Sequence, residues 1–181
     1  AARLHGDQKG EAAALDKLGM LYRDRARYAA ALETYTQALK IWRVLENRTA
    51  EAQALANLAS VYAFQQEYEE ALKTYQQALV IWGVLDDRAN EGLTYNSIGD
   101  VYKAMLVTPA ALENYNAALV RAQIVSDLRL KARVLGKIGR IYFTQLDYPK
   151  ALEAYQQALA TWREIGEPRQ EGFALNDLGD F

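Results

Sequence analysis

The chain has 181 residues, 51% of them apolar, and a net charge of −2 from 21 basic and 23 acidic side chains. Such a chain buries a core in one or two domains rather than staying disordered, but with no Cys and one His it lacks the means for thiol nucleophiles, imidazole bases, disulfides and Cys/His zinc sites. No apolar run nears the roughly 18 to 20 residues of a membrane span, no signal-peptide pattern opens the chain, and the balanced charge does not suit phosphate backbones, so a soluble, cytoplasmic protein with no cofactor, metal, nucleic-acid or membrane partner is expected.

In chain order, the first eight residues are expected to be the remnant of a preceding helix, because Gly6-Asp7 aligns with Glu46-Asn47 and Gly166-Glu167. A helix follows in which Leu15, Leu18, Gly19 and Tyr22 recur at spacings of three and four, one side of a 3.6-residue period. A second helix carries Tyr28, Ala31, Leu32, Tyr35, Ala38, Leu39, Trp42 and Leu45, an apolar face of about five turns that needs protein on both sides. The pair then repeats. Tyr22, Tyr62, Tyr102 and Tyr142 are 40 residues apart, as are Tyr35, Tyr75, Tyr115 and Tyr155; Ala31, Ala71, Ala111 and Ala151 form another column, and Trp42, Trp82 and Trp162 a further one with Ala122 as its exception. A fixed period of this length marks stacked helical units. The repeats are 9–48, 49–88, 89–128 and 129–168, with 169–181 as the first helix of a fifth, making one continuous array. Small residues inside the stripes (Gly19, Ala59, Gly99, Gly139, Gly179) point to close approach of helix backbones, since a helical Gly otherwise costs roughly 1 kcal/mol.

Pro109, Pro149 and Pro168 lie where helices should begin, and Thr108 is a candidate N-cap for its helix. The third unit is irregular: Thr108 replaces Tyr, Ala122 replaces Trp, Arg121 enters an Ile column, and Met105-Leu106-Val107 forms an apolar turn. Two readings of that turn stand, compensation for the missing aromatics and an interaction patch.

Leu-Gly-x-x-Tyr in the first helix, then Ala, Tyr and Ala at fixed offsets in the second, resemble the tetratricopeptide (TPR) signature over nearly the whole chain. The unit is six residues longer than the common 34-residue form, and Arg43 and its equivalents replace the usual closing Pro; that longer form resembles repeats of kinesin light chains, spindle-orientation adaptors and bacterial signalling proteins. The resemblance implies an all-α, right-handed superhelical solenoid of antiparallel helix pairs, about four and a half repeats long, with first helices lining a concave face. The chaperone-tail clamp of related proteins is incomplete here: Arg133 and Lys137 fit its last pair, but Ser97, Ala56 and Ser60 stand where it needs Asn, Lys and Asn.

At about 100° per residue, positions 13, 17, 20 and 24 of the first helix and their equivalents face away from the core and form the floor of that groove. Three features occupy it. Arg133, Lys137 and Arg140 put three cations on one face, with Lys103 one unit away, and attract an anion; Asp100 and Asp177 would instead leave a partly neutralised solvated face. Asn57, Asn96, Asn176 and Gln53 can each give and accept hydrogen bonds from an extended peptide, with Ser60 and Ser97 beside them. Phe64, Leu93 and Met20 are apolar where the helix should be wet, either as a binding surface or touching one another across the groove; Phe173 and Asp180 fall at equivalent places. The composite points to a non-catalytic scaffold that binds a protein or peptide of acidic character in the groove. The alternatives are a structural segment that self-associates through its two ends, where Leu175 and Leu178 would be uncovered, and a regulatory or sensor module of a larger signalling protein.

Overall fold

The computed structural model describes residues 2–179, with side chains from Asp7 onward. Its elements are α1 (Ala2–Asp24), α2 (Tyr28–Val44), α3 (Arg48–Phe64), α4 (Tyr68–Val84), α5 (Arg88–Ala104), α6 (Thr108–Ile124), α7 (Leu128–Thr144), α8 (Tyr148–Ile165) and α9 (Pro168–Gly179). Among the described residues the structure is all helix and turn. The even-numbered helices begin at 28, 68, 108 and 148, and α3, α5, α7 and α9 at 48, 88, 128 and 168, so the 40-residue period of the aromatic columns is the period of the backbone. Helix α1 departs from it. It runs unbroken through Gly6 and Asp7, where a connection between units was expected, so residues 2–8 extend this helix instead of ending an earlier one; residue 1 lies outside the described residues, as do Asp180 and Phe181.

The connections are uniformly tight because each helix ends on a left-handed residue. Ala26, Glu46, Gln66, Asp86, Leu106, Ser126 and Leu146 have φ between 53° and 64°, and only the last connection uses glycine, Gly166 at 75°. In the turn after α2, Glu46 N–H donates to the Arg43 carbonyl and Asn47 N–H to that of Trp42, satisfying carbonyls that the helix end would leave open. Asn47, Asp127 and Asp147 then accept from Ala50, Leu130 and Lys150 N–H as N-caps. Thr108 is not such a cap: Val107 occupies that position, and Thr108 is the first residue of α6, directly before Pro109.

Two compact units divide the chain, Ala1–Asp87 and Arg88–Phe181. In unit 1, α1 packs on α2, α2 on α3 and α3 on α4; in unit 2 the same succession runs from α5 to α9. Unit 1 centres on Tyr35, Trp42, Leu55, Val61 and Trp82, and unit 2 on Tyr115, Leu130, Val134 and Ile141, with Trp162 and Ala174 closing its far end. Burial of such aromatics, at roughly 150–250 Å² each, dominates the stability of stacked helix pairs. Leu18 and Leu21 of α1 are 37% and 44% exposed; among the described residues α1 packs chiefly against α2 and slightly against α3.

What the small-residue column makes room for is an aromatic ring, not a second backbone. A Cβ on Gly19 would stand 2.7 Å from Tyr35 Cε1, on Gly99 2.6 Å from Tyr115 Cδ1, and on Gly139 2.7 Å from Tyr155 Cδ1. The irregular third repeat is also not repaired by its apolar turn, because Leu106 is 87% exposed and Val107 40%. Arg121 carries the compensation instead: its guanidinium lies 5.0 Å from the Tyr95 ring centroid and its Nε donates to buried Glu91 at 3.2 Å.

Candidate functional site

Unit 2 contains a cleft of about 290 Å³ built by four helices. Lys103 comes from α5; Arg133, Gly136, Lys137 and Arg140 from α7; Tyr155 and Trp162 from α8; and Gln170, Phe173 and Asp177 from α9. The helical period explains the α7 contribution, since residues 133, 137 and 140 fall on one face. The cleft is open at Gly136, where a Cβ would meet nothing within 4 Å.

The four cations of this cleft are not equivalent. Lys137 Nζ donates to Asp100 Oδ2 at 2.6 Å and to Asn96 Oδ1 at 2.8 Å, and lies 5.6 Å from the Tyr115 ring centroid. The Tyr115 hydroxyl donates to Asp100 Oδ1 at 2.7 Å, completing a chain of four side chains. Burial pushes the Lys137 ammonium below its ordinary pKa, and the charges of Arg133 and Lys103 add to that, while Asp100 opposes it. Burial likewise raises the Tyr115 hydroxyl, with Asp100 adding to the effect. Arg140 Nη2 donates to Asp177 Oδ1 at 2.9 Å, and that carboxylate raises the guanidinium's pKa.

Arg133 and Lys103 have no carboxylate partner among the described residues. Two of the four cations are therefore neutralised within the fold, and two are left to the cleft. An apolar wall stands beside them: Phe173 is 58% exposed, with Arg169 over its ring at 6.0 Å.

Of the other residues singled out from the sequence, Asn96 and Asp100 act from behind the cleft, through Lys137. Leu93 and Asn176 are exposed, and Ser97 Oγ donates to the Leu93 carbonyl at 3.0 Å; none of the three lines the cleft. Gln53, Asn57, Ser60 and Phe64 sit on α3 of unit 1. There Gln53 Nε2 donates to Asn57 Oδ1 at 3.3 Å and Ser60 Oγ to the Asn57 carbonyl at 2.7 Å. Phe64 is stacked on Tyr28 with centroids 6.0 Å apart, which gives this exposed ring a neighbour within its own unit. Asn57 and Asn96 thus already hold one internal hydrogen bond each. Sequence reasoning missed Tyr115 and Gln170. Tyr115 belongs to a column that reads as packing throughout, and only its offset of 15 residues from Asp100, across one turn, signals the contact.

A tetratricopeptide repeat family model matches residues 49–124 and 90–164, and a second one residues 12–48. Three solved structures share the fold at low identity. Aspartyl phosphate phosphatase F from Bacillus subtilis is 18% identical with a TM-score of 0.84 over 87% of this chain. A signal transduction ATPase with numerous domains from Pyrococcus horikoshii, which carries a tetratricopeptide repeat sensor, is 20% identical with a TM-score of 0.82 over 94%. The TPR domain of Arabidopsis FLU is 21% identical with a TM-score of 0.61 over 65%. The chain spans 42% of the phosphatase, 26% of the ATPase and 98% of the FLU domain. No curated protein sequence matches it.

Proposed function

Since the chain belongs to the tetratricopeptide repeat family, whose members commonly serve as non-catalytic interaction scaffolds, we propose that unit 2 binds an acidic segment of a partner protein in the cleft between α5, α7 and α9. The observation that carries this reading is the pair of unpaired cations, Arg133 and Lys103, beside the exposed Phe173. The charges of Arg133 and Lys103 both act against the Lys137 ammonium, and a ligand carboxylate relieves that repulsion while forming charge-assisted hydrogen bonds. Lys137 and Arg140 form the fixed rim, held by Asp100 and Asp177. Phe173 and the Trp162 floor offer apolar contact next to the charge, so the segment that fits best places a carboxylate beside an apolar side chain. In the phosphatase and the ATPase, comparable arrays form part of longer chains, consistent with a recognition module that serves another domain.

A fluorescein-labelled peptide of alternating Glu and Leu, titrated by fluorescence anisotropy, tests this. The double variant Arg133→Glu and Lys103→Glu is expected to weaken binding about tenfold or more, each charged hydrogen bond being worth roughly 1.5–3 kcal/mol before solvent screening, and to flatten the dependence on salt. Unchanged affinity in a variant that keeps its helical circular dichroism would overturn the assignment.

A further inference from the structure

The three cations of α7 are peculiar to one repeat. Eighty residues earlier, in unit 1, Gln53, Asn57 and Ser60 hold the places of Arg133, Lys137 and Arg140, and forty residues earlier Leu93, Ser97 and Asp100 hold them. Those repeats pair their two helices in the same way, so helix stacking does not require positive charge at these positions. The unit 1 counterpart of Lys103 is Arg23, which is turned onto the adjacent Asp24, with Nε at 3.1 Å and Nη2 at 3.0 Å from its Oδ1. Lys103 has Ala104 in that place and keeps its charge for the cleft.

The donors left over exceed what one carboxylate can use. Lys137 has three N–H donors and spends two, on Asp100 and Asn96; Arg140 spends Nη2 on Asp177. Arg133, with five donors, and Lys103, with three, spend none on a carboxylate among the described residues. Both are exposed and both line the cavity of about 290 Å³. With Asp100 and Asp177 each matched to one cation, two positive charges remain open. A carboxylate brings one negative charge and two oxygens, whereas a phosphomonoester brings about 1.5 to 2 charges at neutral pH and three strong acceptor oxygens.

We infer that the acidic group of the partner segment is switchable: the cleft takes a phosphoserine or phosphothreonine flanked by an apolar residue, with the phosphate between Arg133 and Lys103. This rests on the reading of the cleft as a site for an acidic segment and adds a regulation to it. Among unmodified residues Asp and Glu fill the place; a hydroxyl residue fills it once phosphorylated, and does so more tightly than either. The apolar lining favours a protein segment over a free phosphate. Phe173 is 58% exposed, with Arg169 over its ring, and Tyr155 and Trp162 line the same cavity, contacts that an isolated anion cannot use.

Three fluorescein-labelled peptides, Gly-Gly-Leu-X-Leu-Gly-Gly with X as Ser, Glu or phosphoserine, are titrated with the chain by fluorescence anisotropy. The phosphoserine peptide is expected to bind about tenfold tighter than the Glu peptide, as one further charge-assisted contact implies. In Lys103→Gln, which leaves one open cation, that gap is expected to close to about threefold or less, with circular dichroism confirming that the helices are kept. Phosphoserine no tighter than Glu, with both tighter than Ser, overturns the inference and leaves the acidic-segment reading standing. All three peptides binding alike overturns both. A gap unchanged in Lys103→Gln also overturns the inference, because the second cation then has no part in it. Orthophosphate and vesicles containing phosphatidic acid are added as competitors. Displacement of the phosphoserine peptide by either, at concentrations as low as the unlabelled peptide needs, assigns the site to a free anion or a lipid headgroup and overturns the inference; failure of both to compete at those concentrations supports it.

Discussion

Units 1 and 2 hold the same columns of residues and satisfy them by different routes. In unit 1 the Trp42 indole donates to Asp16; in unit 2 the corresponding Ala122 has no side-chain donor, and Asn96 accepts from Lys137. The buried glutamate column behaves alike. Glu51 is held by Arg43 from α2 and Arg48 from its own helix, whereas Glu91 is held by Arg88 and by Arg121 from α6. The tyrosine column closes the comparison: Tyr115 finds Asp100, but Tyr35 faces Met20 in that register and has no partner. Helix packing is conserved in each unit while hydrogen-bond partners are exchanged, so substitutions at these positions are coupled and their effects are not additive.

The strongest way to break this comparison is Trp42→Ala, which copies unit 2's Ala122 into unit 1 without its compensation. Loss of a buried Trp costs about 3–5 kcal/mol, and here it also strips Asp16 of its one donor among the described residues. Urea denaturation should show that loss. Adding Asn57→Lys, the residue that serves Asn96 in unit 2, should return about 1 kcal/mol or more by giving Asp16 a charged donor. A double variant no more stable than Trp42→Ala would show that the two arrangements are not interchangeable.

Architecture was legible because it rests on periodic burial: 40-residue columns of Tyr, Ala and Trp record which faces are covered, and the helices start on that period. The site was legible only in part. Arg133, Lys137 and Arg140 share a face by helical geometry alone, so their placement in one cleft follows from their spacing. Which of them stays available does not, because it depends on Asp100 and Asp177, carboxylates 37 residues away on the neighbouring first helices, reaching them at 2.6 and 2.9 Å. The same reason hid the coupling of Arg121 to Glu91, an interaction spanning 30 residues. Gly6-Asp7 falls in register with the connections at Glu46-Asn47 and Gly166-Glu167, yet α1 runs through it, since a glycine in a helix costs only about 1 kcal/mol.

A smaller effect tests whether aromatic rings set the small-residue column. Gly99→Ala pushes a methyl group to 2.6 Å from Tyr115 and should destabilise unit 2 by about 1–3 kcal/mol through overpacking. In unit 1 the column already holds Ala59, fully buried; there Ala59→Gly should cost about 0.5–1 kcal/mol, from added chain entropy. Opposite chemical changes are thus expected to destabilise in both units. A stabilising Gly99→Ala would mean that Tyr115 has room to move, and that the ring is not what excludes the side chain.

The smallest expected effect concerns Trp82, whose buried indole N–H has no acceptor. Its register partner is Ala56, where Trp42 has Asp16, and Ala56→Asn supplies the missing oxygen. A net hydrogen bond contributes about 0.5–1.5 kcal/mol, from which roughly half a kcal/mol is lost to the poorer helix propensity of Asn, leaving a gain of about 0.5 kcal/mol and a displaced Trp82 indole resonance. Asn is the informative choice over Asp, because burial raises the Asp16 carboxyl despite the Trp42 hydrogen bond. A second carboxylate in that setting would carry the same penalty, present at neutral pH and relieved only as pH falls through its raised folded pKa toward the ordinary value, since over that interval the folded state binds the proton more tightly. A neutral amide makes the same hydrogen bond without that dependence, so an unmoved indole signal in Ala56→Asn would show that the Asp16–Trp42 pairing belongs to α1 and α2 alone and is not a property of the column.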